Sequence, residues 1–167
     1  MATAPANGAS GPGDPNNDAA GRPAAGARGR ILVVEDDVDA LDLIAHLVER
    51  AGYAALRAPG GVEALDLLRE NEVDVVLLDV MMPGVDGLEV CRRLKASEAT
   101  AGLPIVLLTA LDDMETRAAG MKLGVSEFLT KPINVDELER RLETQVGVRR
   151  RAAEFERVGR RLDELEG

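Results

Sequence analysis

Hydrophobic and polar positions follow a repeating arrangement over most of the chain. Short apolar runs rich in Val, Ile and Leu are each followed by a stretch in which apolar residues recur every three or four positions. The runs are typical of strands buried on both faces of a sheet, and the stretches are typical of amphipathic helices. The pattern therefore predicts five strand-then-helix units between residues 30 and 146.

The boundaries of these units follow from glycine, proline and capping residues. The strands are predicted at residues 31–34, 53–58, 73–78, 104–108 and 128–130. The first helix has its apolar positions at Val38, Leu41, Ile44, Ala45 and Val48, and the third has them at Leu88, Val90, Cys91 and Leu94. In the second helix Val62, Leu65 and Leu68 are expected to face inward. A fourth helix is predicted over residues 112–123 with Gly124 as its cap, and a fifth opens near Asn134.

Strict alternation of strands and helices implies an α/β fold with a doubly wound parallel sheet. Right-handed crossovers align the carboxyl ends of all the strands along one edge of such a sheet. The polar residues at or just after these strand ends are Glu35, Asp36, Asp79, Thr109 and Lys131. We therefore expect three carboxylates, a hydroxyl and an ammonium group to meet at this edge.

Asp79 ends the third apolar run, which is the central strand of the predicted sheet. Pro83-Gly84 and Asp86-Gly87 follow it and predict a turn. Ligands of open α/β sheets bind at the edge formed by the carboxyl ends of the strands. Taken alone, Asp79 also fits an aspartate that merely starts a turn. The polar residues at the other strand ends favour the ligand-binding interpretation.

Clustered carboxylates repel one another, so a cation that neutralises them is expected at this edge. Mg²⁺ is the natural candidate, since it binds through one or two carboxylates, retained waters and phosphate oxygens. Asp79 is then predicted to be a nucleophile that forms an aspartyl phosphate. Thr109 would donate to a phosphoryl oxygen, and Lys131 would offset the charge that builds during transfer.

Four segments together resemble a known family, the receiver domain of two-component response regulators. They are ILVVED at residues 31–36, LLDVMMPGVDG at 77–87, LLTA at 107–110 and FLTKP at 128–132. The resemblance covers residues 30 to about 146. It implies a flavodoxin-like (βα)5 fold with strand order 2-1-3-4-5. It also implies that a histidine kinase or a phosphotransfer partner phosphorylates Asp79.

The resemblance implies roles for the neighbouring residues as well. The groups that match the family's Mg²⁺ ligands are Glu35, Asp36, Asp79 and the backbone carbonyl of Met81. Thr109 matches the switch hydroxyl and Lys131 matches the family's lysine. Phe128 takes the place of the switch aromatic, which is often Tyr. The Lys131–Pro132 peptide bond corresponds to one that the family holds cis.

Some residues have plainer interpretations. The acidic residues at 35–37 would also suit the start of the first helix, because acids favour helix N-termini, and Asp37 is interpreted as a cap alone. His46 is interpreted as a helix-surface residue and Cys91 as a small buried side chain.

Composition limits the function classes. The formal net charge is −10, and the termini at 1–30 and 147–167 each carry one net positive charge, which leaves −12 on residues 31–146. Such an acidic body is a poor general binder of nucleic acid. A single cysteine fits a reducing compartment. No apolar run is long enough for a membrane span and no signal peptide is recognisable, so a cytoplasmic protein without a membrane partner is expected.

The chain is predicted to divide into three parts. Residues 1–29, rich in Ala, Gly and Pro, are expected to be a disordered tail because they cannot bury enough apolar surface. Residues 30–146 form the receiver, and residues 147–167 form a charged helical extension. Val148, Phe155 and Leu162 are seven residues apart, as are Val158 and Leu165. The extension is therefore interpreted as either a coiled coil that forms a homodimer or a solvated linker helix.

The leading hypothesis is a signalling switch, not an enzyme, in which phosphorylation of Asp79 changes contacts with a downstream protein. The chain would act alone, as a dimer, or as the amino-terminal part of a longer regulator such as a cyclic-dinucleotide synthase. A haloacid dehalogenase-like phosphatase is disfavoured because Met81, not an acid, stands two residues after Asp79. A flavin-binding electron carrier is disfavoured because acids follow the first strand where a phosphate loop would be needed.

Overall fold

A computed structural model describes residues 28–82, 86–110 and 112–166. Strands and helices alternate along these residues as the apolar pattern predicts. They are β1 (Arg30–Val34), α1 (Val38–Arg50), β2 (Ala54–Ala58), α2 (Gly61–Glu70), β3 (Val75–Asp79), α3 (Gly87–Ala96), β4 (Ile105–Ala110), α4 (Met114–Leu123), β5 (Glu127–Lys131) and α5 (Val135–Glu166).

The strands form one parallel sheet in the order β2-β1-β3-β4-β5. This confirms the predicted flavodoxin-like fold. All residues of β1 and β3 are buried, because helices cover both faces of the sheet. Alternate side chains of β1 point to opposite faces. Leu32 joins the apolar layer of α3, whereas Ile31 joins the layer of α1 and α5.

The predicted helix termini are confirmed in most cases. The Asp37 side chain accepts a hydrogen bond from the Ala40 N–H at the start of α1, as its interpretation as a cap requires. Gly124 ends α4 in a left-handed conformation with φ of 85°. Asn134 accepts from the Glu137 N–H at the start of α5. His46 is exposed and Cys91 is buried, also as predicted.

One predicted helix face is wrong. Val62 was expected to face inward but is 54 % exposed. The sheet-facing side of α2 is centred on the buried Ala64, with Leu65 and Leu68 partly buried against the core. Val62 lies two residues before Ala64, about 200° away around a helix, and so points to solvent. The helix begins one residue earlier than the apolar spacing indicates, at Gly61.

The last helix, α5, continues without interruption for 32 residues. Leu138, Leu142 and Val146 pack against the sheet, whereas most side chains after Gly147 are exposed. The helical extension is thus present. The division into domains stays a prediction, and the segment 1–29, predicted as a disordered tail, lies almost wholly outside the described residues. Within the described residues, no helix is both long and apolar enough to cross a membrane.

Candidate functional site

The carboxyl edge of the sheet brings the predicted site residues to neighbouring strand ends. Asp79 ends β3, Glu35 directly follows β1, and Lys131 ends β5. Thr109 lies in β4 beside Leu108, which is opposite Asp79 in the strand register. Glu35, Asp79 and Thr109 are each no more than 3 % exposed. The sheet therefore holds two acids and a hydroxyl in a buried position at this edge.

Asp79 is held through both carboxylate oxygens. Its Oδ2 accepts a hydrogen bond from Lys131 Nζ at 2.8 Å, and its Oδ1 accepts from the Met81 N–H at 3.1 Å. The Lys131 ammonium also lies 3.6 Å from Glu35 Oε2. The lysine side chain remains 41 % exposed, so this cation reaches the buried acids from the solvent side. The Lys131–Pro132 bond is cis, as the resemblance implied.

Three carboxylates form a cluster suited to a cation. One oxygen from each of Glu35, Asp36 and Asp79 lies within 4.8 Å of the others. Glu35 Oε1 accepts from the Asp37 N–H at 3.3 Å, but the buried Oε2 has no hydrogen-bond partner among the described residues. Asp36 is exposed. A buried acceptor without a donor is unfavourable, so a hard divalent cation fits this donor set.

The electrostatics of the pair are asymmetric. Burial and the neighbouring Asp79 carboxylate raise the pKa of Glu35 to about 7. Burial alone would also raise the pKa of Asp79, but the neighbouring Glu35 carboxyl group and the hydrogen bonds from Lys131 and the Met81 N–H outweigh it and hold that pKa below its ordinary value. Desolvation opposes the charge of Lys131, yet the two acids raise its pKa. At neutral pH, Asp79 is ionised beside a cationic lysine.

The Thr109 hydroxyl is buried without a hydrogen-bond partner among the described residues. Such a group is normally paired. Its position near the end of β4, next to the strand that carries Asp79, leaves the hydroxyl available to a group that enters at this edge.

Phe128, the predicted switch aromatic, is half-buried and packs toward α4. A Cβ atom placed on Gly120 would lie 3.1 Å from Phe128 Cε1 and 2.9 Å from Leu107 Cδ1. Gly120 therefore provides the space for this ring. A second link between α4 and β5 is the hydrogen bond from Arg117 Nη2 to Thr130 Oγ1 at 2.5 Å.

Sequence reasoning missed Gly120 and Arg117. Both lie inside the predicted fourth helix, where a single sequence gives no sign of which residue meets β5. Gly87 was assigned only to a turn. In the structure it begins α3, and a Cβ there would lie 2.6 Å from the Asp79 carbonyl oxygen. The glycine thus allows α3 to start against the end of β3. The predicted turn at Pro83-Gly84 lies outside the described residues.

Comparison with known proteins identifies a family and relatives that are similar in sequence. A profile of the family described as "Response regulator receiver domain" matches residues 31–143. The chain is 45 % identical over 113 residues to the response regulator MprA of Mycobacterium sp. (strain KMS). The matched residues make up 68 % of this chain and 48 % of that protein. It is 38 % identical over 109 residues to the DNA-binding dual master transcriptional regulator RpaA of Synechocystis sp., with 65 % and 45 % covered. The chain spans about half the length of these curated relatives.

A solved structure is similar over nearly the same region. It is the receiver domain of the sensor histidine kinase PA1611 from Pseudomonas aeruginosa, with a magnesium ion coordinated in its active-site cleft. The TM-score is 0.67 at 29 % identity, over 72 % of this chain and 99 % of that chain. These similarities favour the receiver interpretation over the phosphatase and flavin-carrier alternatives.

Proposed function

The chain belongs to the response regulator receiver domain family, and from this we propose that Asp79 accepts a phosphoryl group from a histidine kinase or a phosphotransfer protein. The observation that carries the proposal is the contact of Lys131 Nζ with Asp79 Oδ2 at 2.8 Å. Asp79 and the neighbouring acid Glu35 are both buried, at the ends of adjacent strands. The lysine contact holds the nucleophile ionised, and it places a cation where charge builds during transfer.

Mg²⁺ is the proposed cofactor. Glu35, Asp36 and Asp79 would hold it, together with the backbone carbonyl of Met81. The carboxylate cluster and the unpaired Glu35 Oε2 support this assignment. When bound, the ion neutralises the acids and the phosphoryl oxygens, which would otherwise repel the nucleophile.

The residues of the chain supply the remaining steps. An Asp79 oxygen bonds to phosphorus while the bond from phosphorus to the donor's histidine nitrogen breaks, and the imidazole leaves with that electron pair. Lys131 then pairs with the new phosphoryl oxygens. The Thr109 hydroxyl, which lacks a partner among the described residues, donates to one of them. The aspartyl phosphate is later hydrolysed, so the cycle restores Asp79.

The output is a change of protein contacts. Movement of Thr109 toward the phosphoryl group would let the Phe128 ring turn inward from its place beside Gly120. The surface of α4, β5 and α5 would then change its partner preference. We propose a downstream protein as the partner, with a second copy of this chain paired through the C-terminal helix. Direct nucleic-acid binding by residues 28–166 is not proposed, although the relative RpaA is named as DNA-binding. The cytoplasmic location stays a prediction.

Regulation of a longer protein is compatible with the same site. Since the chain spans about half of its curated relatives, its receiver could control an output domain beyond Glu166, and the predicted cyclic-dinucleotide synthase is one such output.

Labelling with acetyl phosphate tests the proposal directly. The wild-type chain is expected to gain one phosphoryl group in the presence of Mg²⁺, detected by intact mass, and chelation of the metal should abolish the gain. Asp79→Asn should not be labelled, whereas Asp113→Asn, which changes the partly exposed cap of α4, should be labelled normally. Undiminished labelling of the Asp79→Asn variant would refute the assignment.

A further inference from the structure

The exposed part of α5 carries an apolar seam, which we define as Val148, Phe155, Val158, Leu162 and Leu165. These side chains are between 44 % and 83 % exposed. Their spacing of seven, three, four and three residues places them at the a and d positions of a heptad repeat, where a partner helix packs. A soluble helix with this much exposed apolar surface along one line is typical of an interface.

The opposite face of the helix is attached to the receiver. Arg149, Arg150 and Ala153 line a cleft at the amino edge of the sheet, together with Val73 and Leu103. Arg150 Nε lies 3.7 Å from Asp74 Oδ1. In the heptad these three helix residues fall at b, c and f, away from a and d. The contacts therefore fix the helix about its own axis with the seam pointing away from the receiver.

We propose that the seam binds the seam of a second copy of this chain in antiparallel orientation. In this arrangement Phe155 of each copy packs against Val158 of the other, and Val148 packs against Leu165. The inference deepens the proposed pairing of the C-terminal helix and rests on it, but it does not depend on phosphoryl transfer at Asp79. It specifies which copy-to-copy contacts form and where the two receivers lie.

Charge favours the antiparallel arrangement over the parallel one. Arg151 occupies the d position between Val148 and Val158, so a parallel pair would place two Arg151 side chains in one layer. The antiparallel pair separates them by about 16 Å along the axis, at 1.5 Å per residue. Like charges facing each other across an interface destabilise it, and their separation removes that cost.

The charged residues that flank the seam also favour the antiparallel pair. Glu154 and Arg161 both fall at g positions, which face each other in an antiparallel pair. Glu154 of each copy then meets Arg161 of the other, giving two ion pairs near the centre. In a parallel pair the same Glu154 faces Gly159, and only Arg161 finds an acid, Glu166, at the helix end. Central pairs contribute more than pairs at a fraying terminus.

The length of the extension matches this pairing. With Val148 opposite Leu165, residue 146 of one copy lies just beyond the last helical residue of the other. Val146 and Gln145 are buried in the receiver, so the overlap ends where the receiver begins. The two receivers then sit at opposite ends of the paired helices and do not compete for space.

Cysteine cross-linking distinguishes the orientations. In a Cys91→Ala background, single Val148→Cys and Leu165→Cys chains are made with different mass tags. Under mild oxidation the mixture should form the mixed disulfide, and each variant alone should form little, because only the antiparallel pair brings these Cα atoms within about 7 Å. Strong cross-linking of each variant with itself would instead establish a parallel pair and overturn the proposal.

A charge exchange tests the same geometry without disulfides. Glu154→Arg should weaken dimerisation about tenfold, since two attractive pairs become repulsive, each worth up to about 1 kcal/mol. Adding Arg161→Glu should restore wild-type affinity, because the antiparallel pairs are merely exchanged. A parallel pair would not recover, as Arg161→Glu would then face Glu166. Sedimentation equilibrium of the full chain measures both effects.

Two further results separate this inference from the phosphoryl proposal. A wild-type chain that stays monomeric at every concentration up to about millimolar would overturn the pairing and leave the labelling of Asp79 untouched. The Asp79→Asn variant should retain the mixed Val148–Leu165 disulfide, even though it cannot be phosphorylated. Loss of that disulfide in the variant would contradict the independence stated above.

Discussion

The charge of Glu35 is unfavourable unless a cation is bound nearby. Its carboxylate is 3 % exposed, its Oε2 has no hydrogen-bond partner among the described residues, and Asp79 contributes negative charge beside it. Lys131 compensates in part, but its ammonium lies closer to Asp79, at 2.8 Å, than to Glu35, at 3.6 Å. The lysine therefore neutralises mainly Asp79, and the charge of Glu35 needs a metal ion or a proton to neutralise it.

This residue should make the metal-free protein sensitive to pH. The pKa of Glu35 rises from its ordinary 4.5 to about 7 on folding, so the folded state binds the proton more tightly than the unfolded chain. Its contribution to stability is present below about pH 4.5 and is lost as the pH rises through about 7. Glu35→Gln should therefore raise the free energy of unfolding at pH 8 by about 1–3 kcal/mol, with a smaller effect at pH 5.

Urea unfolding in a chelator at both pH values measures this difference. Asp36→Asn is the matched control, because Asp36 belongs to the same acidic cluster but is exposed; its metal-free stability should change by less than about 0.5 kcal/mol. Both variants should lose the stabilisation that Mg²⁺ gives the wild-type chain. A Glu35→Gln variant less stable than wild type at pH 8 would contradict the prediction.

At the scale of elements, α4 is attached to β5 by few contacts. One is the fit of the Phe128 ring against Gly120, and another is the Arg117–Thr130 hydrogen bond. Gly120 is the buried residue of α4, whereas Met114 and Met121 are both 70 % exposed. Because α4 buries little apolar surface against the sheet, small changes in the position of Phe128 should shift this helix.

Gly120→Ala should displace the Phe128 ring. The added methyl group would lie 3.1–3.2 Å from two ring atoms and 2.9 Å from Leu107 Cδ1, so a neighbour must move, and the ring is nearer to solvent than Leu107. NMR of fluorinated phenylalanine reports this as a shift of the Phe128 signal. Phe155, the other phenylalanine, provides an internal reference because it lies far along α5.

Gly159→Ala is the control for helix propensity. A Cβ at Gly159 meets nothing within 4 Å, so this substitution should stabilise α5 by up to about 1 kcal/mol and leave Phe128 unchanged. An unshifted Phe128 signal in Gly120→Ala would mean that the backbone of α4 absorbs the methyl group, and the assigned role of Gly120 would be wrong.

The sequence was sufficient for the elements and their order because each strand run is apolar and each helix has caps or breakers at its ends. It also predicted which strand ends carry Glu35, Asp79 and Lys131, since parallel strands share one polarity. Helix rotation was less predictable. Val62 was assigned inward because it is apolar and lies three residues before Leu65. Single apolar residues also occur on protein surfaces, and Ala64, which marks the buried face, gives a weaker apolar signal. The space at Gly120 depends on a ring from another element, which no local pattern encodes.

An ion pair at the amino edge of the sheet links the extension of α5 to the receiver. Asp74 Oδ2 accepts from the Arg30 N–H at 2.9 Å, and Oδ1 lies 3.7 Å from Arg150 Nε. Asp74→Asn retains an acceptor for the backbone but loses the charge. Amide exchange over residues 148–166 should therefore become faster, while global stability changes by less than about 1 kcal/mol because the pair is partly exposed.

Hydrogen exchange followed by mass spectrometry resolves this segment. Asp163→Asn removes the same charge near the C-terminal end of α5 and should leave exchange near Arg150 unchanged. Equal exchange in Asp74→Asn and wild type would show that the ion pair does not hold the extension.

At the scale of the whole molecule, the acidic site and the extension lie at opposite edges of the sheet. The site is at the carboxyl ends of the strands, whereas Asp74 precedes β3 and Arg149 and Arg150 meet it at the amino edge. The proposed receiver boundary at residue 146 is consistent with burial, which is high at Leu142 and Val146 and falls beyond them.

Truncation after Gly147 tests this division. The shortened chain should retain the free energy of unfolding to within about 1 kcal/mol, because the removed residues bury little apolar surface, and it should still be labelled at Asp79. Truncation after Leu138 is the contrasting variant, since it removes the buried Leu142 and Val146 and should cost several kcal/mol. A chain ending at Gly147 that fails to fold would place the boundary further along α5.

The unbroken course of α5 sets how far a local event can reach. The helix begins four residues after Lys131 and runs 32 residues, which corresponds to about 48 Å at 1.5 Å per residue. A one-degree tilt at its origin displaces its tip by about 0.8 Å over that length. Paramagnetic labels near Glu166 on two associated chains would thus detect a tilt of α5 at its start, near Lys131. The tilt would appear as a longer or shorter distance between the two labels.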